Sequence, residues 1–210
     1  WTDASGNFWL FGGFGFAASG GSGFLNDLWK FDPATGEWTW KSGANTTNNA
    51  GSYGVKGLPA ASNLPPSRYL AATWTDNSGN LWLFGGRNNS GLDYNDLWKY
   101  NIASGWWTWV SGDNTTGSIG VYGTQNVSSP TNKPGARNRF NESNGKVDAN
   151  GFIWMFGGAG YASTATFGCL NDLWKYNLAT NEWTWVSGDN TLNNLENYGT
   201  MCVAAGSNKP

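Results

Sequence analysis

The chain has 210 residues, with 12 Lys and Arg against 14 Asp and Glu and a net charge of -2, so it offers no basic footprint for nucleic acid or an anionic membrane surface. It has no histidine and two cysteines, which excludes His-based triads and His-ligated zinc or copper within the chain and leaves too few thiols for a structural zinc site. With 31 Gly, 15 Trp, much Asn and Thr, and no apolar run long enough to cross a bilayer, the composition predicts an all-β chain with almost no helix.

Taken in order, the first apolar run is 8–11, which follows Trp1-Thr2-Asp3 and the turn 3–7 and closes on Gly12-Gly13. Both faces of this run are apolar, so the strand it predicts must be covered on two sides. Asn26-Asp27-Leu28-Trp29-Lys30 and Trp38-Thr39-Trp40 come next, separated by Asp32-Pro33-Ala34-Thr35-Gly36, a hairpin turn by its chemistry. A long segment, 41–67, then carries Ser42-Gly43-Ala44-Asn45-Thr46 and Tyr53-Gly54.

The same signals return twice. Trp74-Thr75-Asp76, 81–84, Gly85-Gly86, Asn95 to Lys99, Trp107-Thr108-Trp109, 111–115 and Tyr122-Gly123 form the second pass. Asp148, 153–156, Gly157-Gly158, Asn171 to Lys175, Trp183-Thr184-Trp185, 187–191 and Tyr198-Gly199 form the third. Self-similarity at a period of about seventy residues marks units that cannot bury their apolar faces alone and must stack. The boundaries fall at 1–66, 67–138 and 139–210, each unit holding four antiparallel strands, with most of the first strand of the first unit missing. In the third unit that strand is expected over 140–146, where apolar alternation is lost.

Gly-Gly pairs closing the second strand, the aromatics Phe31, Tyr100 and Tyr176 in the third, and Trp38, Trp107 and Trp183 after them resemble the Kelch pattern across the whole chain. The resemblance implies propeller blades, although a Kelch unit is typically about 50 residues. Three blades do not close a ring of about 4 to 8. The expectation is therefore part of a longer propeller, or two copies pairing into a six-bladed ring. The resemblance also admits a sugar-active enzyme. Kelch-type oxidases, however, hold copper partly by His, and sialic acid mutarotases are closed rings. A structural subunit polymerising through blade edges is a third reading.

Strand parity places the loops after strands two and four on one face, and these are the long ones: 14–25, 87–94 and 159–170 after strand two, and 41–67, 111–138 and 187–210 after strand four. Any protein or glycan ligand is expected there, with no cofactor, no metal and no catalytic residue assigned. The shared loop residues read as structural, because an unstructured linker need not keep an internal register. The variable ones, Phe14, Phe16, Arg87, Asn88, Asn89 and Tyr161, are the binding candidates. Arg68 and Arg139, or Arg137 if that strand shifts, are expected at the innermost strands, either facing an acidic ligand or pairing with neighbouring carbonyls and the Asp of Asn-Asp-Leu-Trp. Fourteen of the Trp residues hold repeat-equivalent positions and read as core, whereas Trp106 stands alone as a candidate surface aromatic. Asp3, Asp76 and Asp148 faintly suggest calcium loops, but turn chemistry accounts for them. Cys169 and Cys202 are expected in loops on one face, where a disulfide is possible; that bond and the Asn-x-Ser/Thr sites would suit an extracellular or cell-surface protein.

Overall fold

The computed structural model describes residues 1–19, 21–138 and 147–210. Among them there are eleven strands and no helix, arranged in three antiparallel sheets. Sheet I is β1 (Phe8–Phe16), β2 (Ser22–Asp32) and β3 (Glu37–Ser42) in that order. Sheet II is β4 (Ala72–Thr75), β5 (Leu81–Phe84), β6 (Leu97–Asn101) and β7 (Trp106–Ser111). Sheet III is β8 (Arg137–Asn138), β9 (Phe152–Tyr161), β10 (Phe167–Asn177) and β11 (Glu182–Ser187), again in meander order. The strand expected over 140–146 lies outside the described residues, as does Arg139.

Of the double-faced apolar runs, 81–84 is covered on both sides as its pattern predicts, whereas Phe8 and Leu10 in the first run and Phe156 in the third are exposed. All four residues of β5 are buried, and because successive side chains point to opposite faces, they feed two different cores. Leu81 and Leu83 join Trp9, Trp98, Tyr100 and Trp107, while Trp82 and Phe84 join Met155, Trp174, Tyr176 and Trp183. Aromatic pairs form each joint between sheets. Trp9 meets Tyr100 at 5.9 Å and Phe11 meets Trp107 at 5.4 Å, and their counterparts Trp82–Tyr176 and Phe84–Trp183 lie at 6.0 and 5.5 Å. Tilted and edge-on pairs of this kind add about 0.5–1.5 kcal/mol each beyond the area they bury.

A buried carboxylate lies at each joint. Asp96 accepts from Arg68 Nη1 and Nη2 at 2.5 and 2.8 Å, from the Tyr53 hydroxyl at 2.7 Å and from Trp98 Nε1 at 2.7 Å. Asp172 repeats the arrangement with Arg137 at 2.6 and 2.9 Å, Tyr122 at 2.7 Å and Trp174 at 2.7 Å. Asp27, the same residue of the first repeat, accepts only from Trp29 Nε1 among the described residues. The arginines join neighbouring sheets as well. The Arg68 backbone bonds Leu25 and Gly13 of sheet I while its side chain serves sheet II, and Arg137 does the same from Tyr94 and Gly86 to sheet III.

The segments after β3, β7 and β11 are ordered straps. Asn26 fixes the base of the first by accepting from the Ala44 amide and donating to the Pro65 carbonyl. Its tip bonds the outer edge of the next sheet, where the Gly57 and Ala60 amides and Asn63 Nδ2 donate to the carbonyls of Trp109 and Trp107. Asn126, Ser129 and Asn132 dock the second strap on Trp185 and Trp183 in the same way. The Tyr-Gly signature has a local cause. Gly54, Gly123 and Gly199 adopt positive φ, and a Cβ there would overlap the side-chain oxygen of Asn63, Asn132 or Asn208.

Two expectations require correction. The loops predicted at 14–25 and 159–170 are hairpin extensions, paired as far as Phe16↔Ser22 and Tyr161↔Phe167 beyond bulges at the Gly-Gly pairs. Glycine at 15, 23, 160 and 168 hides the alternation that would have revealed them. The repeat-equivalent Trp residues are also not uniformly core, since Trp38 and Trp40 are exposed while Trp107 and Trp183 are buried. The first pair lacks the preceding sheet and strap that cover the others.

The two kinds of hub should respond differently to loss of charge. Asp172→Asn leaves Arg137 as a buried, uncompensated cation and is expected to cost about 3–5 kcal/mol in denaturant unfolding, whereas Asp27→Asn, half-exposed and without a cation, should cost under about 1 kcal/mol. Burial pushes the Asp172 carboxyl up, but Arg137, Trp174 and Tyr122 hold it below the ordinary 3.8; Asp113 and Asp189 are also held low, chiefly against their lysine partners. Depressed carboxylates contribute stability above the unfolded value and lose it as pH falls through the folded one. Thermal melting is therefore expected to fall steeply below about pH 4, and a melt that is level down to pH 2 would contradict these pairs.

Candidate functional site

The hairpins and turn after β1, β5 and β9 and the straps after β3, β7 and β11 meet at one end, as strand parity predicts. Asn48 bonds Phe24 and Ser19 bridges Thr46 on sheet I, Gly117 bonds Asp93 on sheet II, and Asn193 bonds Cys169 on sheet III. The paired extensions β1–β2 and β9–β10 rise into this end, and the short turn 87–93 sits between them.

A row of aromatic rings crosses the three sheets here. Phe14 packs on Phe24 at 5.3 Å, and Phe24 packs on Tyr69 at 5.0 Å. Tyr69 bridges Arg87 through the backbone, the Arg87 guanidinium lies 4.9 Å from the Phe167 ring centre, and Phe167 packs on Tyr161 at 5.8 Å. Arg87 is held in place: Nε and Nη2 donate to the buried Asp93 at 2.8 and 3.1 Å, and Asn138 Nδ2 donates to the same carboxylate at 3.0 Å. The side chain stays partly open to solvent, so a positioned cation stands among ring faces.

Beside the row, a cleft of about 430 Å³ opens between β1 and the segment 68–71; among the described residues β4 completes sheet II, whereas β1 meets only the bridge from Thr2 at its start. Leu70, which lines it, holds a φ of 57°. A branched side chain in this left-handed region costs roughly 1–2 kcal/mol, and the two residues before it are fixed through the backbone, Tyr69 on Arg87 and Arg68 on Gly13.

The structure gathers Phe14, Arg87 and Tyr161 into this row. Phe16 is exposed at the tip of the β1–β2 hairpin, beyond it. Asn88 closes its own turn by accepting from the Ser90 and Leu92 amides, leaving exposed Asn89 at the tip. Arg68 is buried in its pair with Asp96 and with the Gly85 carbonyl, the second of the two arrangements expected for it, and Arg137 rather than Arg139 is its counterpart. Phe24, Tyr69 and Phe167 were not singled out from the sequence. Phe24 and Phe167 sit opposite Phe14 and Tyr161 in register, so recognising the hairpins would have found them.

Other candidates have structural duties. Asp3, Asp76 and Asp148 each accept two amides of their own turn on one oxygen and an indole N–H, from Trp9, Trp82 or Trp154, on the other. Among the described residues no cluster of His, Cys, Asp and Glu is placed to hold a metal ion. Trp106 is exposed on the far strand of sheet II. Cys169 lies in β10 rather than in a loop, because the hairpin extends past it, while Cys202 lies in the third strap; both are free and exposed.

No protein-family model matches the chain, and no curated protein matches its sequence. The thiols give a direct check on this end of the molecule. Protein prepared without reductant is expected to release two equivalents with a disulfide-exchange reagent under native conditions, whereas a Cys169–Cys202 bond would release none.

Proposed function

We propose that the chain is a non-catalytic segment of a Kelch-type β-propeller, with its three sheets as three blades, and that it binds a protein or glycan through the loop end. Support for the architecture comes from three meander sheets apolar on both faces and stacked in sequence order through equivalent aromatic joints. The observation that carries the binding reading is the row from Phe14 to Tyr161 with Arg87 fixed inside it. Ring faces suit sugar rings and apolar side chains alike, and a cation anchored by Asp93 adds attraction for a carboxylate or hydroxyl at a set position.

Rigid placement favours recognition, because little side-chain freedom remains to be lost on binding. The exposed, low-charge surface and the five Asn-x-Ser/Thr sites suit a secreted or cell-surface location, which we adopt as part of the same reading.

The test is an array carrying glycans beside extracellular protein domains, probed with the labelled chain and with Phe14→Ser and Arg87→Ala. Binding confined to one ligand class, reduced at least tenfold by both substitutions while melting temperature is kept, is the expected result. Binding that survives both substitutions, or none on any feature of the array, would remove the row as the site.

A further inference from the structure

Besides its aromatic row, the loop end is distinguished by how little free charge it carries. The stretches 14–25, 42–55 and 159–170 contain no Asp, Glu, Lys or Arg and are rich in Ser, Thr, Asn and Gly. In the other stretches Arg87 pairs with Asp93, Asp113 with Lys133 and Asp189 with Lys209. Glu196 is then the one charge at this end without an ion pair among the described residues.

The Arg87 pair is neutral as a unit. Its Nε and Nη2 donate to a carboxylate whose side chain is 1% exposed, while Nη1 has no partner among the described residues and the arginine side chain stays 22% open. Tyr69 and Tyr161, both close to Arg87, likewise keep hydroxyls with no hydrogen-bond partner among the described residues. The Phe167 ring beside them is 45% exposed. An apolar ring face is thus bordered by donors that carry no net charge.

That combination decides between ligand classes. An anion brought to Arg87 gives up its water and meets a cation already neutralised at 2.8 Å, so attraction to Arg87 and repulsion from Asp93 largely cancel. A sugar hydroxyl gives up far less and gains a charge-assisted bond from a fixed N–H, while the C–H face of its ring covers Phe167. A protein partner draws steering and register from opposed charges, which this end does not offer. We propose that the loop end takes a neutral glycan, seated at the joint of sheets II and III with a sugar ring on Phe167 and its hydroxyls on Arg87 Nη1 and the Tyr69 and Tyr161 hydroxyls. The inference rests on the loop end being the binding surface, and names what that surface selects.

The test is calorimetric titration of the 210-residue chain with neutral oligosaccharides of glucose, mannose, galactose and xylose, with oligogalacturonate as the charged counterpart and a set of extracellular protein domains alongside. At least one neutral series is expected to bind, with an affinity that changes less than about twofold between about 0.05 and about 0.5 M salt. Phe167→Ala should weaken it about tenfold or more, and oligogalacturonate should bind about tenfold or more weaker than the neutral series. Asp93→Asn keeps an acceptor for Arg87 but releases its charge, so this variant should gain oligogalacturonate binding that falls with salt; an unchanged melting temperature shows that each variant folds. If Asp93→Asn does not fold, the salt series and Phe167→Ala decide the matter. Preference for oligogalacturonate or for a protein domain, lost in Phe167→Ala, would overturn the neutral-glycan inference and leave the binding surface standing. Neutral binding that falls steeply with salt or ignores Phe167→Ala would overturn the inference as well. No binding in any arm would overturn both.

Discussion

A carboxylate removed from water has to be surrounded by donors, and Asp96 and Asp172 show how much structure that need organises. Each takes two bonds from an arginine, one from a tyrosine and one from an indole, and the three donors come from three different segments of chain. The arginine comes from the segment before β4 or from β8, the tyrosine from the strap of the preceding repeat, and the tryptophan from two residues past the aspartate itself. None can move without stranding a charge in the interior, where an unpaired ion costs several kcal/mol. The aromatic joints supply area, but area is non-directional, and it is the carboxylate that fixes how one sheet sits against the next.

That fixed seating is what allows the loop end to act as a surface. The Arg68 and Arg137 backbones tie the Gly-Gly bulges of one sheet to the segment that leads into the next, so the strands that rise past those bulges are anchored at their base. The hairpins carry Phe14 with Phe24 and Phe167 with Tyr161, and the turn between them carries Arg87. A second buried carboxylate, Asp93, holds Arg87 in line with the rings and is held in turn by Asn138 from the following strand. Residues that differ between repeats are thus presented by a framework that does not.

Equivalent residues meet different fates according to their place in the stack. Trp38 and Trp107 occupy one sequence position and Phe84 and Phe156 another, yet in each pair one ring is buried and the other is not. Nothing local separates them. Burial is conferred by the neighbouring repeat, as expected of an array in which each unit completes its core only against the next.

Much of the fold was legible in the sequence because strands announce themselves by a period of two and repeats by identity at a distance. The apolar runs at 8–11, 81–84 and 153–156 and the turn chemistry at Asp32 and Asn101 could all be placed from residue types alone. The duty of Asp in Asn-Asp-Leu-Trp was half legible. A partner arginine could be anticipated, but Tyr53 and Tyr122 lie too far along the chain for spacing to reveal them. The hairpin extensions were hidden by glycine, which pairs through its backbone but leaves no side-chain pattern. The sequence by itself determined the all-β class, the three repeats and the strand order, since these follow from local periodicity and turn chemistry. Tertiary structure alone decided which rings are core and which are surface, and that Phe14, Arg87 and Tyr161 share one face. Those outcomes depend on contacts between residues of different repeats, 45 to 99 positions apart, which the backbone of each repeat does not encode.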